Sequence, residues 1–250
     1  MPDGNFYLLG STRGAATTSM GQAGDQVVSE DYDGDGRTDP AIYRNGTWYV
    51  TYSSGGSTTV SWGTIGDIPQ PADRNGDGKA EFIVYRPSNG TWYSLNGGTG
   101  TYEAVNWGGN GDKPVIGDFD GDSRADFAVW RPSNGNWYIL NSSGGYNVYQ
   151  WGAFTDVAVP ADYNGDGRTD LGIYRNGTWF INFISSYTVI QWGVVGDSPV
   201  AADYDGDGRA DVAIWRPLTG TWYMLKSSGG YDIIQWGLNG DVPIPGYKAK

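Results

Sequence analysis

The chain is predicted to be all-β, and three observations predict it. Short apolar segments of four to seven residues, rich in β-branched and aromatic types, alternate with Gly, Asn, Asp and Ser, and none has helical spacing. Composition agrees, with 41 Gly, 12 Trp and 18 Tyr in 250 residues and only 18% charged, as expected for short aromatic strands joined by glycine turns. An aspartate-rich nonapeptide also recurs five times: DYDGDGRTD from Asp31, DRNGDGKAE from Asp73, DFDGDSRAD from Asp118, DYNGDGRTD from Asp162 and DYDGDGRAD from Asp203. The copies start 42, 45, 44 and 41 residues apart, so each marks one supersecondary unit of an array.

The fifth unit shows every element in order. Gly196-Asp197 leads into SPVAA, the acidic loop runs from Asp203 to Asp211, and VAIWRP follows. A turn at Leu218-Thr219-Gly220 leads to TWYMLK, and SSGG precedes the closing YDIIQWG. Each unit therefore reads as four strands. Asn45-Gly46, Asn89-Gly90, Asn134-Gly135 and Asn176-Gly177 are expected to supply the positive φ angles of tight hairpin turns, making the second and third strands antiparallel neighbours. Four antiparallel strands at this spacing describe a β-propeller blade, because parallel solenoids repeat over shorter lengths and lack hairpins.

Five full units are assigned to residues 24–65, 66–110, 111–154, 155–195 and 196–239 of a single propeller domain. Asp3-Gly4-Asn5-Phe6-Tyr7 matches the Asn-Gly-Thr-Trp-Tyr turn and third strand, Met20-Gly21 stands where later units have Trp-Gly, and GDVPIPGYKAK from Gly240 opens another unit. Residues 1–23 and 240–250 are thus expected to form a split sixth blade closed by both termini, with a five-bladed ring as the alternative.

Oxygen-bearing side chains at loop positions 1, 3, 5 and 9, with glycine between them, suit a hard cation that takes six to eight oxygens, which points to Ca²⁺. The expected ligands are Asp31, Asp33, Asp35 and Asp39; Asp73, Asn75, Asp77 and Glu81; Asp118, Asp120, Asp122 and Asp126; Asp162, Asn164, Asp166 and Asp170; and Asp203, Asp205, Asp207 and Asp211. The position-7 carbonyls of Arg37, Lys79, Arg124, Arg168 and Arg209 complete the sets, giving about five ions, one per complete repeat. An EF-hand needs a glutamate at position 12, where Ile42 and Val84 stand here, so these are loop sites between strands. Asn75 and Asn164 remove a charge, Glu81 sets a longer arm, and Ser123 replaces the position-6 glycine.

The loops hold 18 of the 28 acids, and five Ca²⁺ would bring the net charge of -12 to about -2. Most of the acidity is then ligand set, and with no basic stripe nucleic acid is not an expected partner. No apolar run is long enough to cross a bilayer, and the first residues have no signal-peptide pattern. Cysteine is absent, which excludes disulfides and thiolate metal sites.

At these residues the chain resembles the FG-GAP/VCBS group of propeller repeats, found in integrin-α-like heads and bacterial secreted proteins. The acidic loop followed by an Asp-x-Ala-Ile/Val-Tyr/Trp-Arg strand bears most of that likeness. The resemblance implies an extracellular or cell-surface setting, where calcium near millimolar fills even weak sites.

Tryptophans recur at two repeat positions: Trp48, Trp92, Trp137, Trp179 and Trp222, and Trp62, Trp107, Trp151, Trp192 and Trp236. Packing between blades is their first expected role, and stacking on sugars beside the pairs Tyr43-Arg44, Trp130-Arg131 and Trp215-Arg216 is the second. The arginines are equally expected to pair with Asp25, Asp67, Asp112, Asp156 and Asp197. With no histidine, no cysteine and no nucleophile elbow, the sequence reads as non-enzymatic. The departures from symmetry, Arg74 and Glu103 among them, suggest no converging acid and base. The functional expectation is a calcium-stapled binding or adhesion module with lectin-like glycan sites or cell-surface protein partners; a surface scaffold without small ligand is the alternative, and a calcium-dependent hydrolase the third reading.

Overall fold

The computed structural model describes residues 4–10 and 14–244, which fold into strands and turns with no helix among the described residues. The first complete blade holds β3 (Gln26–Val27), β4 (Ala41–Arg44), β5 (Thr47–Thr51) and β6 (Ser57–Ser61). The second holds β7 (Ile68–Pro69), β8 (Phe82–Arg86), β9 (Thr91–Leu95) and β10 (Tyr102–Asn106), and the third β11 (Lys113–Gly117), β12 (Asp126–Arg131), β13 (Asn136–Leu140) and β14 (Tyr146–Gln150). The fourth comprises β15 (Val157–Ala158), β16 (Leu171–Arg175), β17 (Thr178–Asn182) and β18 (Tyr187–Gln191); the fifth β19 (Ser198–Pro199), β20 (Val212–Arg216), β21 (Thr221–Leu225) and β22 (Tyr231–Gln235). Within each blade the strands pair in sequence order and antiparallel.

Burial grades outward through each blade. Second strands are buried on both faces, third strands of the first four blades alternate, and fourth strands are mostly exposed. That pattern follows from packing sheets face to face. The hydrophobic core accordingly lies between blades: Tyr32 of the first stacks on Phe82 of the second at 5.2 Å, and Trp92 of the second on Phe127 of the third at 4.8 Å.

Both tryptophan sets are structural in the same way. Trp48 Nε1 donates to the Trp62 carbonyl of its own blade, and Trp62 Nε1 to the Tyr93 carbonyl of the next, at 2.8 and 3.3 Å. The relay continues through Trp107 to Tyr138, Trp151 to Phe180 and Trp192 to Tyr223. Each indole thus satisfies its one donor while its ring fills the junction.

Five blades are complete. The N-terminal β1 (Asn5–Gly10) and β2 (Gly14–Ser19) form a separate two-stranded sheet, and Gly4 meets Gly21 as Gly46 meets Gly63. This hairpin occupies the place of the outer half of a sixth blade, so the five-bladed alternative describes the complete sheets. Of the split unit assigned to both termini, residues 1–3, 11–13 and 245–250 lie outside the described residues, and 241–244 form no strand.

The hairpin expectation needs one correction. Asn45-Gly46 and Asn176-Gly177 do make two-residue turns, with φ of 51° and 90°, and 49° and 89°. At Asn89-Gly90 and Asn134-Gly135 only the glycine has positive φ, because the preceding Pro-Ser pair lengthens the loop to four residues, and Arg86 pairs with Thr91 across it. A loop of that length is built round an ordinary turn ending in one left-handed residue, and glycine supplies it.

Candidate functional site

Each acidic loop joins the first and second strands of its blade and folds on its own carboxylates. Position 1 accepts from the amides of positions 4 and 6, as Asp31 does from Gly34 and Gly36 at 2.7 and 2.8 Å. Position 3 accepts from the amide of position 5 and position 5 from that of position 7; Asp35 N to Asp33 is 3.1 Å and Arg37 N to Asp35 is 2.9 Å. Position 9 accepts from the amide of position 2, at 2.9 Å between Tyr32 and Asp39. Asp73, Asp118, Asp162 and Asp203 begin loops of the same design. Ser123 follows it by adopting φ of 66°, a left-handed conformation that glycine takes in the other four loops.

Three loops gather carboxylates most closely. Oxygens of Asp31, Asp33 and Asp39, of Asp118, Asp120 and Asp122, and of Asp203, Asp205 and Asp211 lie within 4.8 Å of one another, so each set can share one cation. The loops with Asn75 and Asn164 at position 3 form no such triplet among the described residues. The position-7 side chains point elsewhere: Lys79, Arg124, Arg168 and Arg209 each lie over the position-4 glycine of the preceding loop. The following amide, at Ala80, Ala125, Thr169 and Ala210, donates to the position-1 carbonyl of that same preceding loop at 2.6–2.8 Å.

Position 9 is the chemically strained member. Asp39, Glu81, Asp126, Asp170 and Asp211 are all buried. Burial, with the other loop carboxylates adding to it, pushes their carboxyls up, to about 6 for Asp126 and about 7 for Asp170. A divalent cation among these oxygens would reverse that penalty, and the all-oxygen donor set fits a hard ion.

Serines in the turn between third and fourth strands brace the same three loops. Ser53, Ser142 and Ser227 donate their hydroxyls to Asp35, Asp122 and Asp207 at 2.5–2.6 Å and their amides to Asp39, Asp126 and Asp211 at 2.6–2.7 Å. Ser54, Ser143 and Ser228 bond Asp33, Asp120 and Asp205. The signal was in the sequence, where SSGG occurs in the three repeats that have Asp at loop position 3. In the second blade Asn96 bonds Asp77 and Glu81 instead, and the shortened turn of the fourth has Ile184 where the first serine stands.

At every junction an arginine lies over a ring and grips an aspartate. Arg44 holds Asp25, Arg86 Asp67, Arg131 Asp112, Arg175 Asp156 and Arg216 Asp197, each through two bonds of 2.5–2.9 Å. The aspartate side chains are 0–2% exposed. The guanidinium carbons lie 4.4–5.1 Å from Tyr49, Tyr93, Tyr138, Phe180 and Tyr223. Outside them, Trp62, Trp107, Trp151 and Trp192 meet Tyr102, Tyr146, Tyr187 and Tyr231 of the next blade at 5.7–6.0 Å, and these tyrosines are 62–70% exposed. Sequence reasoning missed these four tyrosines, although each opens a fourth strand.

Symmetry breaks in the second blade, where two of the departures meet. Arg74 Nε donates to Glu103 Oε1 at 3.1 Å, and both line one cavity with Glu81. The two departures thus meet as an ion pair, a contact that sequence reasoning did not foresee.

Residues 73–129 match the family model of the FG-GAP-like repeat. That segment runs from the second acidic loop through the third into β12, so an FG-GAP-like repeat sits inside this β-propeller. No curated protein sequence matches the chain. Among solved structures the fold is similar to a streptogramin B lyase, with a TM-score of 0.62 and 10% identity over 94% of this chain and 77% of that one. It is also similar to virginiamycin B lyase from Staphylococcus aureus, at 0.61 and 9% over 93% and 77%, and to an Agrocybe aegerita lectin that recognises non-reducing terminal N-acetylglucosamine, at 0.56 and 16% over 92% and 88%. At such identities the likeness is one of fold alone. It nonetheless corrects the non-enzymatic reading, since two of these neighbours are lyases and the fold therefore includes enzymes.

Proposed function

We propose that the chain is a calcium-stabilised binding module that takes glycans and works outside the cell or on its surface. One repeated observation supports the glycan reading most directly: at four successive junctions a tyrosine 62–70% exposed stands beside a half-buried tryptophan. Rings fixed at one end by packing and open at the other offer a flat apolar face beside polar groups, which suits the alternating faces of a sugar. A lectin among proteins of similar fold is consistent with that use.

Calcium would be held by the carboxylates at positions 1, 3, 5 and 9 and the position-7 carbonyls, with Asn75 and Asn164 as neutral members of their sets. When bound it supplies charge neutralisation at five turns, and so contributes to folding. The chain's own part is to hold those oxygens in place through loop amides and serine hydroxyls. Sites that lack a carboxylate fill at the calcium level outside cells, which supports the extracellular setting.

A glycan array probed in calcium and in EDTA tests the reading. The expected result is binding in calcium that weakens in EDTA together with a lower melting temperature. If no glycan is retained and EDTA changes only the melting temperature, a surface scaffold replaces the glycan reading; an unchanged melting temperature in metal-free buffer sinks the calcium staple.

A further inference from the structure

In four blades the second residue of the acidic loop is aromatic. Tyr32, Phe119, Tyr163 and Tyr204 each lie 6.4–6.5 Å from the third-strand tryptophan of their own blade. The second blade has Arg74 there. Its guanidinium lies 4.3 Å from the Phe127 ring of the next blade, as the Tyr32 ring lies on Phe82. Nη1 donates to the Ala125 carbonyl at 2.7 Å and Nε to Glu103, so the side chain is fixed on three sides. Glu103 is itself particular to this blade, since the other fourth strands have Thr58, Asn147, Thr188 and Asp232 at its place.

Beside this pair lies a cavity of about 380 Å³ walled by Arg74, Glu81, Asn96, Glu103, Arg124 and Ser142. That volume falls within the range of small-molecule sites, about 300 to 1,000 Å³, whereas the cleft at Trp192, Arg216 and Tyr223 encloses only about 130 Å³.

We propose that this cavity, which takes in Tyr102 of the first junction beside the Arg74–Glu103 pair that the other junctions lack, is one specific site for a neutral, hydroxyl-rich sugar residue; the assignment rests on the glycan reading above. A sugar hydroxyl donates and accepts at once, and the wall interleaves both kinds of partner. Glu103 Oε1 is taken by Arg74, leaving Oε2 to accept from a ligand hydroxyl; Ser142, whose own proton goes to Asp122, keeps an oxygen that can accept, and the Arg124 guanidinium supplies donors. Neutrality follows from charge: Arg74 is already matched by Glu103, Arg124 interacts with Asp122 of its own loop, and Glu81 belongs to the calcium set. An anionic ligand would find little uncompensated positive charge.

The test is an array of neutral and acidic oligosaccharides at saturating calcium, followed by calorimetry with the free monosaccharides that end the bound glycans. Three proteins are compared with the natural chain. Arg74→Tyr restores the aromatic of the other blades and closes the cavity, so the tight site is lost while the melting temperature is kept. Glu103→Gln leaves the fold and removes a charged acceptor, weakening binding about tenfold. Tyr187→Ala, which removes one of the repeated junction faces, is expected to lower the number of sugars bound per chain while the tighter cavity site persists. Affinity that survives both cavity variants and falls with Tyr187→Ala overturns the cavity site and leaves the glycan reading intact. Retention of acidic glycans only overturns the neutral assignment, and no retention by the natural chain removes both readings.

Discussion

Trp236 Nε1 donates to the main-chain oxygen of Tyr7 at 3.4 Å, joining residues 229 apart in sequence. The bond repeats the relay from Trp62 to Tyr93 and from Trp107 to Tyr138, so the N-terminal hairpin stands to the fifth blade as each blade stands to its predecessor. Trp236→Phe keeps an aromatic ring and deletes the donor. The expected cost is about 1 kcal/mol, with faster amide exchange confined to β1 and β2. Unchanged exchange in that hairpin would show that the contact does not hold the ends.

The alternation among loops predicts two classes of cation site. Calorimetric titration of metal-free protein with calcium is expected to resolve three tighter sites, at the loops from Asp31, Asp118 and Asp203, and two weaker ones at those with Asn75 and Asn164. Asn164→Asp should move the fourth loop toward the tighter class, though without its serine brace not fully into it. Five equal sites would refute the distinction.

Removing Arg86 leaves Asp67 as a buried carboxylate without its counter-ion. The Arg86 side chain is 27% exposed and that of Asp67 1%, so Arg86→Met is expected to cost about 3 kcal/mol, the low end for breaking a buried pair. Urea unfolding measures it, and a loss within the range of an ordinary surface pair would mean that water reaches Asp67 easily.

Acid should reach the same junctions at low pH. Burial pushes the Asp25 carboxyl up, but hydrogen bonds from Arg44 and the Gln22 amide, with the Arg44 charge, outweigh it and hold the group below its ordinary 3.8. A carboxyl depressed by folding stabilises the native state above its unfolded pKa and loses that contribution as pH falls through the folded value. The melting temperature at fixed calcium is therefore expected to drop below about pH 4, and less so in Asp25→Asn.

Ile184 has φ of 68° in the shortened turn of the fourth blade, a conformation that crowds a β-branched residue. Ile184→Gly is expected to raise stability by about 1 kcal/mol in urea unfolding. A loss would show that the isoleucine side chain outweighs its backbone strain.

Local patterns carried most of the fold. The loop carboxylates, the fourth-strand Trp-Gly endings and the arginine-aspartate pairs recur at fixed positions, and repetition made them legible without knowledge of distant contacts. Turn type at Asn89 and Asn134 was obscured because a dipeptide signal is overridden when Pro-Ser lengthens the loop. The serine braces and the Arg74 to Glu103 contact were harder for a different reason. Ser53 reaches Asp35 from 18 residues away and Glu103 reaches Arg74 from 29, across strands whose pairing must be known first. The non-enzymatic reading went too far, because absent residue types say little about a fold that includes enzymes.

The amides and cations passed from each loop to the one before it give the ring a direction. Lys79, Arg124, Arg168 and Arg209 cover Gly34, Gly76, Gly121 and Gly165 in turn. Four loops thus share their field with a positive charge from the blade that follows. A ring of near-identical repeats therefore has a head and a tail, because every such cover reaches back to the loop before it and none reaches forward among the described residues.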